Sequence, residues 1–145
     1  MSFGWGVGDI LAISGLAVKV YTAYKDAPDD YRHISDEVES LQAIIDKAIQ
    51  HYKSSSLDNR SRQEGQRVLK SCQNILEDLN SLIEKYNTLA SSNANQAFKR
   101  VMLETEDIAT LRARLTSNTG LLNSFIQRFN IPTSTFQYIR LISQS

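Results

Sequence analysis

The sequence predicts an all-α protein: an antiparallel four-helix bundle with an additional short helix before the last long helix. Over four long stretches, apolar residues recur in alternating steps of three and four, which is the spacing of one helix face. Short polar segments separate these stretches, and short connections favour antiparallel neighbours. With 145 residues, of which 41% are hydrophobic, the chain suits one domain with its own core.

The first helix is the most apolar stretch. Its sequence, MSFGWGVGDILAISGLAVKVYTAY, contains only two formal charges, Asp9 and Lys19. One face carries five residues in three-four steps, namely Ile10, Ile13, Ala17, Val20 and Tyr24. Other apolar residues lie elsewhere on the circumference, namely Leu11, Leu16, Val18 and Tyr21. A helix this apolar must be buried by protein or by lipid, so we expect it to be the most buried member of the bundle.

The next two helices are amphipathic. The second is predicted over residues 28–53, with Pro28 in its first turn. Its apolar face comprises Tyr31, Ile34, Val38, Leu41, Ile45, Ala48 and Tyr52. Polar residues 53–61 lack the spacing and predict a loop. The third helix is predicted from Arg62 to Leu89, with an apolar face comprising Val68, Cys72, Ile75, Leu79, Leu82, Tyr86 and Leu89.

A second polar break, residues 91–95, precedes the predicted short helix over residues 96–103. Thr105 can cap the last long helix, because its hydroxyl oxygen accepts from a free N–H group of the first turn. The apolar face of that helix comprises Ile108, Leu111, Leu115, Asn118, Leu122, Phe125 and Phe129. Asn118 either fixes the helix register on a core seam or lies at a solvated edge.

Ile131–Pro132 is predicted to end the last helix, because proline lacks the N–H that continues the helical ladder. The bundle domain then covers residues 1–130 and the tail covers residues 131–145. Phe136 and Tyr138 alternate with polar residues as in a strand, but a single strand cannot form a sheet. An extended or mobile tail, packing on the bundle and pairing between chains all stay open.

The charged residues favour no nucleic-acid partner. Sixteen basic and sixteen acidic residues balance to zero, and no polybasic block marks an anionic membrane. A mildly basic region near the last helices lacks interleaved aromatic residues; it comprises Lys99, Arg100, Arg112 and Arg114. The acidic residues of the second and third helices predict solubility and intrahelical pairing; they are Asp36, Glu37, Glu39, Glu64, Glu77 and Asp78.

No catalytic or cofactor motif stands out. His33 and His51 are eighteen residues apart on one predicted helix, so they cannot both face one metal ion. Cys72 lies on an apolar face and is interpreted as a small core residue rather than a nucleophile. We therefore expect no enzymatic activity, no metal and no cofactor.

The N-terminal stretch has two interpretations. The apolar run from Ile10 to Val18 is too short for an ordinary transmembrane helix, and Asp9 precedes it where a signal peptide carries positive charge. These features favour a soluble intracellular protein with a flexible glycine-containing lead-in. The spacing Gly4-xxx-Gly8-xxx-Ala12 is instead typical of helices that pack closely in membranes. This pattern predicts a second state, in which copies of the segment join in lipid.

Three blocks carry a family resemblance over residues 1–130. They are the opening stretch continued by DAPDDYRHISDEVESLQAII, then VLKSCQNILEDLNSLIEKY, and finally FKRVMLETEDIATLRARLTSNTGLLNSFI. In this order the blocks resemble the N-terminal domain of fungal STAND proteins, the NOD-like receptors of fungi, which belongs to the HeLo-like group. Family members usually continue into a nucleotide-binding module and repeats, whereas this sequence stops at Ser145.

The resemblance implies a helical bundle related to the cell-death execution domains of heterokaryon incompatibility and to necroptotic bundles. It also implies that the N-terminal helix is the membrane-active element, triggered when a receptor or an amyloid signal clusters the domains. The candidate membrane and oligomerisation residues are Phe3, Gly4, Trp5, Gly8, Ile10, Leu11, Ile13, Gly15, Leu16 and Val20.

The leading hypothesis is a non-enzymatic signalling domain of fungal innate immunity and regulated cell death. It acts by oligomerisation and, in its membrane version, by inserting the N-terminal helix into plasma-membrane lipids on activation. The alternative is a soluble adaptor that binds other helical domains without membrane activity. Both hypotheses expect a cytoplasmic resting protein that associates with itself or with helical partners.

Overall fold

The computed structural model describes residues 6–27, 29–54, 58–90 and 108–144. Within these ranges the regular structure consists of four α-helices and no strand. The helices are α1 (Val7–Lys25), α2 (Asp29–Ser54), α3 (Asn59–Ala90) and α4 (Ile108–Gln144). The predicted all-α class is therefore confirmed. Pro28, the predicted short helix over residues 96–103 and the Thr105 cap lie outside the described residues.

Helix α1 begins at a cap formed by its own first turn. The Gly6 N–H donates to Asp9 Oδ2 at 2.7 Å. This places the carboxylate at the positive end of the helix dipole, where negative charge is stabilising. At the other end, the Ala27 N–H donates to the Tyr24 carbonyl at 3.1 Å. The predicted inner face is confirmed, since Ile10, Ile13, Ala17, Val20 and Tyr24 are all buried.

The prediction that α1 is the most buried member is wrong. Only five of its 19 residues are buried. All five lie on the face that contacts α2 and α3, whereas Leu11 and Val18 remain exposed on the other side. A nearly charge-free sequence is therefore compatible with a helix that packs on one face only.

Helices α2 and α3 supply most of the core. Their fully or nearly fully buried apolar residues are Tyr31, Ile34, Val38, Leu41, Ile45, Ala48, Ile49, Leu69, Cys72, Ile75, Leu76, Leu79, Leu82 and Ile83. The predicted face of α2 is confirmed as far as Ala48, and the Tyr52 side chain is outside the described residues. On α3, Val68 and Tyr86 are only half-buried, whereas the adjacent apolar residues Leu69 and Ile83 are buried.

The predicted loop between α2 and α3 is too long. Helix α2 continues to Ser54, and α3 already begins at Asn59. The reason is a side-chain cap, in which Asp58 Oδ1 accepts the Ser61 N–H at 2.7 Å. This bond satisfies one of the N–H groups that a helix start leaves free, so the polar residues after Asp58 become the first helical turn.

Helix α4 does not end at Pro132, so that prediction is wrong. The helix runs for 37 residues to Gln144 and includes most of the predicted tail. Proline removes one N–H from the ladder, but the helical hydrogen bonds on either side of that gap do not need it. The buried residues of its first half are Leu111, Leu115, Leu122, Phe125 and Ile126.

Asn118 lies neither on a fully buried seam nor at a fully solvated edge. Its side chain is half-buried, and its Nδ2 donates to the Ser71 carbonyl at 3.3 Å. The Cys72 thiol in turn contacts the Asn118 carbonyl oxygen at 3.8 Å. Asn118 therefore contributes a polar contact between α3 and α4 at the margin of the core. In the whole fold, α1 contacts α2 and α3, and α4 contacts the same two helices.

Candidate functional site

The side of α1 that faces away from the core is apolar as well. We call this surface the outer face; it comprises Gly8, Leu11, Ala12, Gly15, Val18, Lys19 and Thr22. Leu11 is 52% exposed and Val18 is 43% exposed. No neighbouring atom lies within 4 Å of the position that a Cβ would take at Gly8 or Gly15. The outer face is therefore open and mostly apolar, with the exposed Lys19 as its one cation, and it presents two large apolar side chains to water.

The ten candidate residues divide between the two faces of α1. Ile10, Ile13 and Val20 are buried in the core, so they are inaccessible in this state. Gly8, Leu11 and Gly15 are exposed, and Leu16 is half-buried against the core. Phe3, Gly4 and Trp5 lie outside the described residues. The sequence-predicted site is thus two surfaces rather than one.

Val18 belongs to the outer face but is absent from the ten candidate residues. A signal was present in the sequence, because Gly8, Leu11, Gly15, Val18 and Thr22 form a second three-four series. The series was easy to overlook, since two of its positions are glycines and one is a threonine. Two apolar series on opposite sides of one helix distinguish α1 from an ordinary amphipathic helix.

Three polar contacts link α1 to the other helices. Ser14 Oγ donates to Asp46 Oδ1 on α2 at 3.1 Å, at an exposed position. Lys19 Nζ lies 3.9 Å from Glu84 Oε1 on α3, and both side chains are mostly exposed. Tyr24 differs from both, because its hydroxyl is buried and donates to the Leu79 carbonyl at 2.7 Å.

Tyr24 also belongs to a group of three aromatic rings where α1, α2 and α3 meet. Its ring centroid is 6.0 Å from that of Tyr31 on α2. Tyr31 in turn stacks on Tyr86 of α3, with centroids 6.5 Å apart. Contacts of this geometry contribute beyond the area that they bury. The end of α1 near Tyr24 is therefore its most firmly held part.

Three arginines of α4 form ion pairs with other helices. Arg112 pairs with Glu37 of α2 at 2.8 Å, and Arg114 pairs with Asp78 of α3 at 2.9 Å. Arg128 pairs with Glu64 of α3. These contacts correct the expectation of purely intrahelical pairing, which holds for Glu77, whose Oε1 accepts from Gln73 at 3.2 Å. The two arginines of the predicted basic region that lie in α4 are thus used between helices.

The described residues contain no cluster of three or more His, Cys, Asp or Glu side chains that could hold a metal ion. His33 is exposed and His51 is half-buried, both on α2. Cys72 is fully buried, and burial raises the pKa of its thiol to about 12. A thiol with so high a pKa is a poor nucleophile, in agreement with its interpretation as a core residue.

Helix α1 is long and apolar enough to cross a membrane by length and composition. This corrects the expectation that the apolar run is too short, because the helix extends on both sides of the run from Ile10 to Val18. A core helix of a soluble protein and a signal sequence share these properties. No family model, curated protein or solved structure matches the chain. Its activity must therefore be inferred from α1 and its contacts.

Proposed function

We propose that this chain is a non-enzymatic signalling domain of fungal innate immunity and regulated cell death. It acts by oligomerisation and by insertion of α1 into the plasma membrane after release from the cytoplasmic resting form. The observation that carries the proposal is the outer face of α1, where Leu11 and Val18 stay exposed on a helix with a second, buried apolar face. The resemblance of residues 1–130 to the HeLo-like group supports the same function.

The resting state that we propose is an antiparallel four-helix bundle. Two series of contacts support opposite directions for successive helices. Along α1 and α2, Ser14 meets Asp46 and Tyr24 meets Tyr31, so residue numbers rise on one helix as they fall on the other. Between α3 and α4, Asp78 pairs with Arg114 and Glu64 pairs with Arg128, with the same reversal.

Membrane insertion requires α1 to leave this bundle, because its inner face is buried against α2 and α3. Lipid can replace that burial on both faces at once, since hydrocarbon solvates apolar side chains on all sides of a helix. Water cannot replace this burial, because it solvates apolar side chains poorly. Clustering by an upstream signal raises the local concentration of α1 segments and favours their association in the bilayer.

The second candidate function is a soluble helical adaptor without membrane activity. It is favoured by the inner face of α1, which is as well buried as the core faces of α2 and α3. In this case the outer face would bind a helix of a partner protein, as in other complexes formed by apolar helix faces. The two functions differ in whether Leu11 ever enters hydrocarbon.

A matched pair of leucines separates them. Leu11 on α1 is 52% exposed, and Leu121 on α4 is 53% exposed. Aspartate should be tolerated at either position in the folded protein, because neither side chain is part of the core. An aspartate costs up to about 2.5–3.5 kcal/mol in a membrane-spanning helix, which is the value at its centre, and Leu11 lies between the centre of α1 and its start. Leakage of dye from vesicles is measured with wild type, Leu11→Asp and Leu121→Asp, each clustered through a fused oligomerisation tag.

The membrane version expects leakage with wild type and with Leu121→Asp, and a loss of at least tenfold with Leu11→Asp. Circular dichroism first establishes that both variants have the wild-type helix content. If clustered wild-type protein leaves the vesicles intact, the membrane version is wrong. Sedimentation across a concentration series then tests self-association, which the oligomerisation proposal requires independently of lipid.

A further inference from the structure

The contacts between helices divide the protein into α1 and the remaining three helices. Helix α4 contacts both α2 and α3, so these three helices remain connected to one another without α1. Helix α1 is the first element of the described chain and joins α2 through the short segment 26–28. Its departure therefore breaks no contact among the other helices and leaves the rest of the chain path unchanged.

Within the described residues, the one buried polar contact between α1 and another helix is the Tyr24 hydroxyl bond to the Leu79 carbonyl. Tyr24 is fully buried, with 0% of its surface exposed. The contacts of Ser14 and Lys19 are exposed and exchange readily with water. A buried hydroxyl that loses its partner is costly unless water or another acceptor reaches it.

We propose that Tyr24 is a latch, meaning that its hydroxyl bond to Leu79 sets the equilibrium by which α1 detaches as a unit from folded α2, α3 and α4. The other fully buried residues of the inner face are aliphatic, with partly buried apolar residues beside them; the first group is Ile10, Ile13, Ala17 and Val20, and the second is Val7, Leu16, Tyr21 and Ala23. The bond lies at the end of α1 that is tethered to α2, so α1 cannot separate over its whole length until this bond breaks. The latch deepens the proposed function, since α1 must detach before it can insert.

The test is native-state hydrogen exchange of the full chain in water without lipid, resolved by peptide or by residue. Detachment predicts that the amides of α1 exchange through an opening smaller than global unfolding, at least tenfold faster than the slowest amides of α4. Tyr24→Phe keeps the ring and removes the hydroxyl. The Leu79 carbonyl keeps its helical N–H partner, so the expected acceleration of the α1 amides is roughly fivefold to tenfold.

Two further variants make the result specific. Tyr21→Phe removes the hydroxyl of a half-buried tyrosine on the same helix and should change α1 exchange by less than about twofold. Leu115→Val shortens a buried side chain of α4. It should accelerate the slowest amides of α4 and leave α1 exchange unchanged, because α1 detaches while α4 is still folded.

Two results would overturn the latch. If Leu115→Val accelerates the α1 amides as much as those of α4, then α1 opens only when the whole protein unfolds. If Tyr24→Phe leaves α1 exchange unchanged, the hydroxyl does not control detachment. Because no lipid is present, a failure of vesicle leakage contradicts the membrane function without touching the latch, and a failure of the latch leaves the leakage result standing. Ile13→Val, which removes one methylene from the same inner face, should accelerate the same α1 amides if Tyr24→Phe does not yield folded protein.

Discussion

Arg112 donates from both Nε and Nη2 to the same oxygen of Glu37, Oε1, at 3.2 and 2.8 Å. The other carboxylate oxygen, Oε2, is buried and has no hydrogen-bond partner. The contact joins α4 to α2, and the carboxylate raises the pKa of the Arg112 guanidinium. Arg112 thus contacts only one of the two carboxylate oxygens, and its positive charge balances the negative charge of Glu37.

Replacing Arg112 should destabilise the protein more than replacing its neighbour Arg114. Arg112→Ala leaves Glu37, whose side chain is only 27% exposed, without a counter-charge. The expected loss is about 1–2 kcal/mol of unfolding free energy, between the values for exposed and buried pairs. Arg114→Ala should cost less than about 1 kcal/mol, because its pair with Asp78 is more exposed. Urea unfolding, monitored by circular dichroism, measures the unfolding free energy of both variants. Equal losses would contradict this ranking.

The cap at Asp58 should make the stability of the protein depend on pH. The Ser61 backbone N–H and hydroxyl hydrogen bonds lower the pKa of this carboxyl from its ordinary value of 3.8. Because the folded pKa lies below the unfolded one, the stabilisation is present above about pH 4 and is lost as pH falls through the folded value. Asp58→Ala should lower the midpoint temperature of unfolding by a few degrees at pH 7.

The difference in midpoint temperature between wild type and Asp58→Ala should therefore shrink as pH falls below about 4, towards the smaller benefit of a neutral cap. Asp58→Asn keeps an oxygen for the Ser61 N–H and serves as the control. It should lose less stability than Asp58→Ala at every pH, and its loss should fall with pH in parallel with that of Asp58→Ala, because neither variant titrates at this position. A difference between wild type and Asp58→Ala that stays constant down to pH 2 would contradict the cap.

Gly15 should be replaceable by alanine with a gain in stability. Its φ is not positive, and a Cβ there would meet no neighbouring atom within 4 Å. Glycine inside a helix is about 0.5–1 kcal/mol less favourable than alanine. Gly15→Ala should raise the unfolding free energy by that amount, and Gly120→Ala in α4, which is equally open, should do the same. A loss at Gly15 alone would mean that another surface already covers it.

Cys72 should be unreactive in the folded protein. With a pKa of about 12, roughly one thiol in ten thousand is ionised at pH 8, and the side chain is fully buried. A chromogenic thiol reagent should label the native protein only as fast as it unfolds locally, and label the urea-unfolded protein within minutes. A Ser124→Cys variant supplies an exposed thiol on α4 and should react at once. Rapid labelling of native wild type would contradict the burial of Cys72.

Helix faces could be predicted from the sequence because they depend on local spacing alone. The inner face of α1 is the clearest case, since Ile10, Ile13, Ala17, Val20 and Tyr24 were all assigned correctly. The helix ends were less predictable, because a single side chain decides them. Asp58 starts α3 earlier than the loss of apolar spacing indicated, and Pro132 does not end α4.

The contacts between helices could not be predicted, because they depend on register. Arg112 and Arg114 were interpreted as part of a basic region, whereas their partners Glu37 and Asp78 lie on other helices. The outer face of α1 was missed for a related reason. The sequence shows that α1 is apolar on all sides, but only the packing of α2 and α3 determines which side stays open. The family resemblance and the function that it implies stay predictions.

The three neighbouring tyrosine rings at the junction of α1, α2 and α3 constitute a native chromophore. Rings held in fixed asymmetric surroundings give a near-ultraviolet circular dichroism signal that vanishes once those surroundings become mobile. Tyr24 supplies one of the three rings, so its withdrawal would alter the spectrum while the far-ultraviolet helical signal persisted. The protein thus carries an optical reporter of the position of its first helix, and kinetic experiments need no attached dye to follow it.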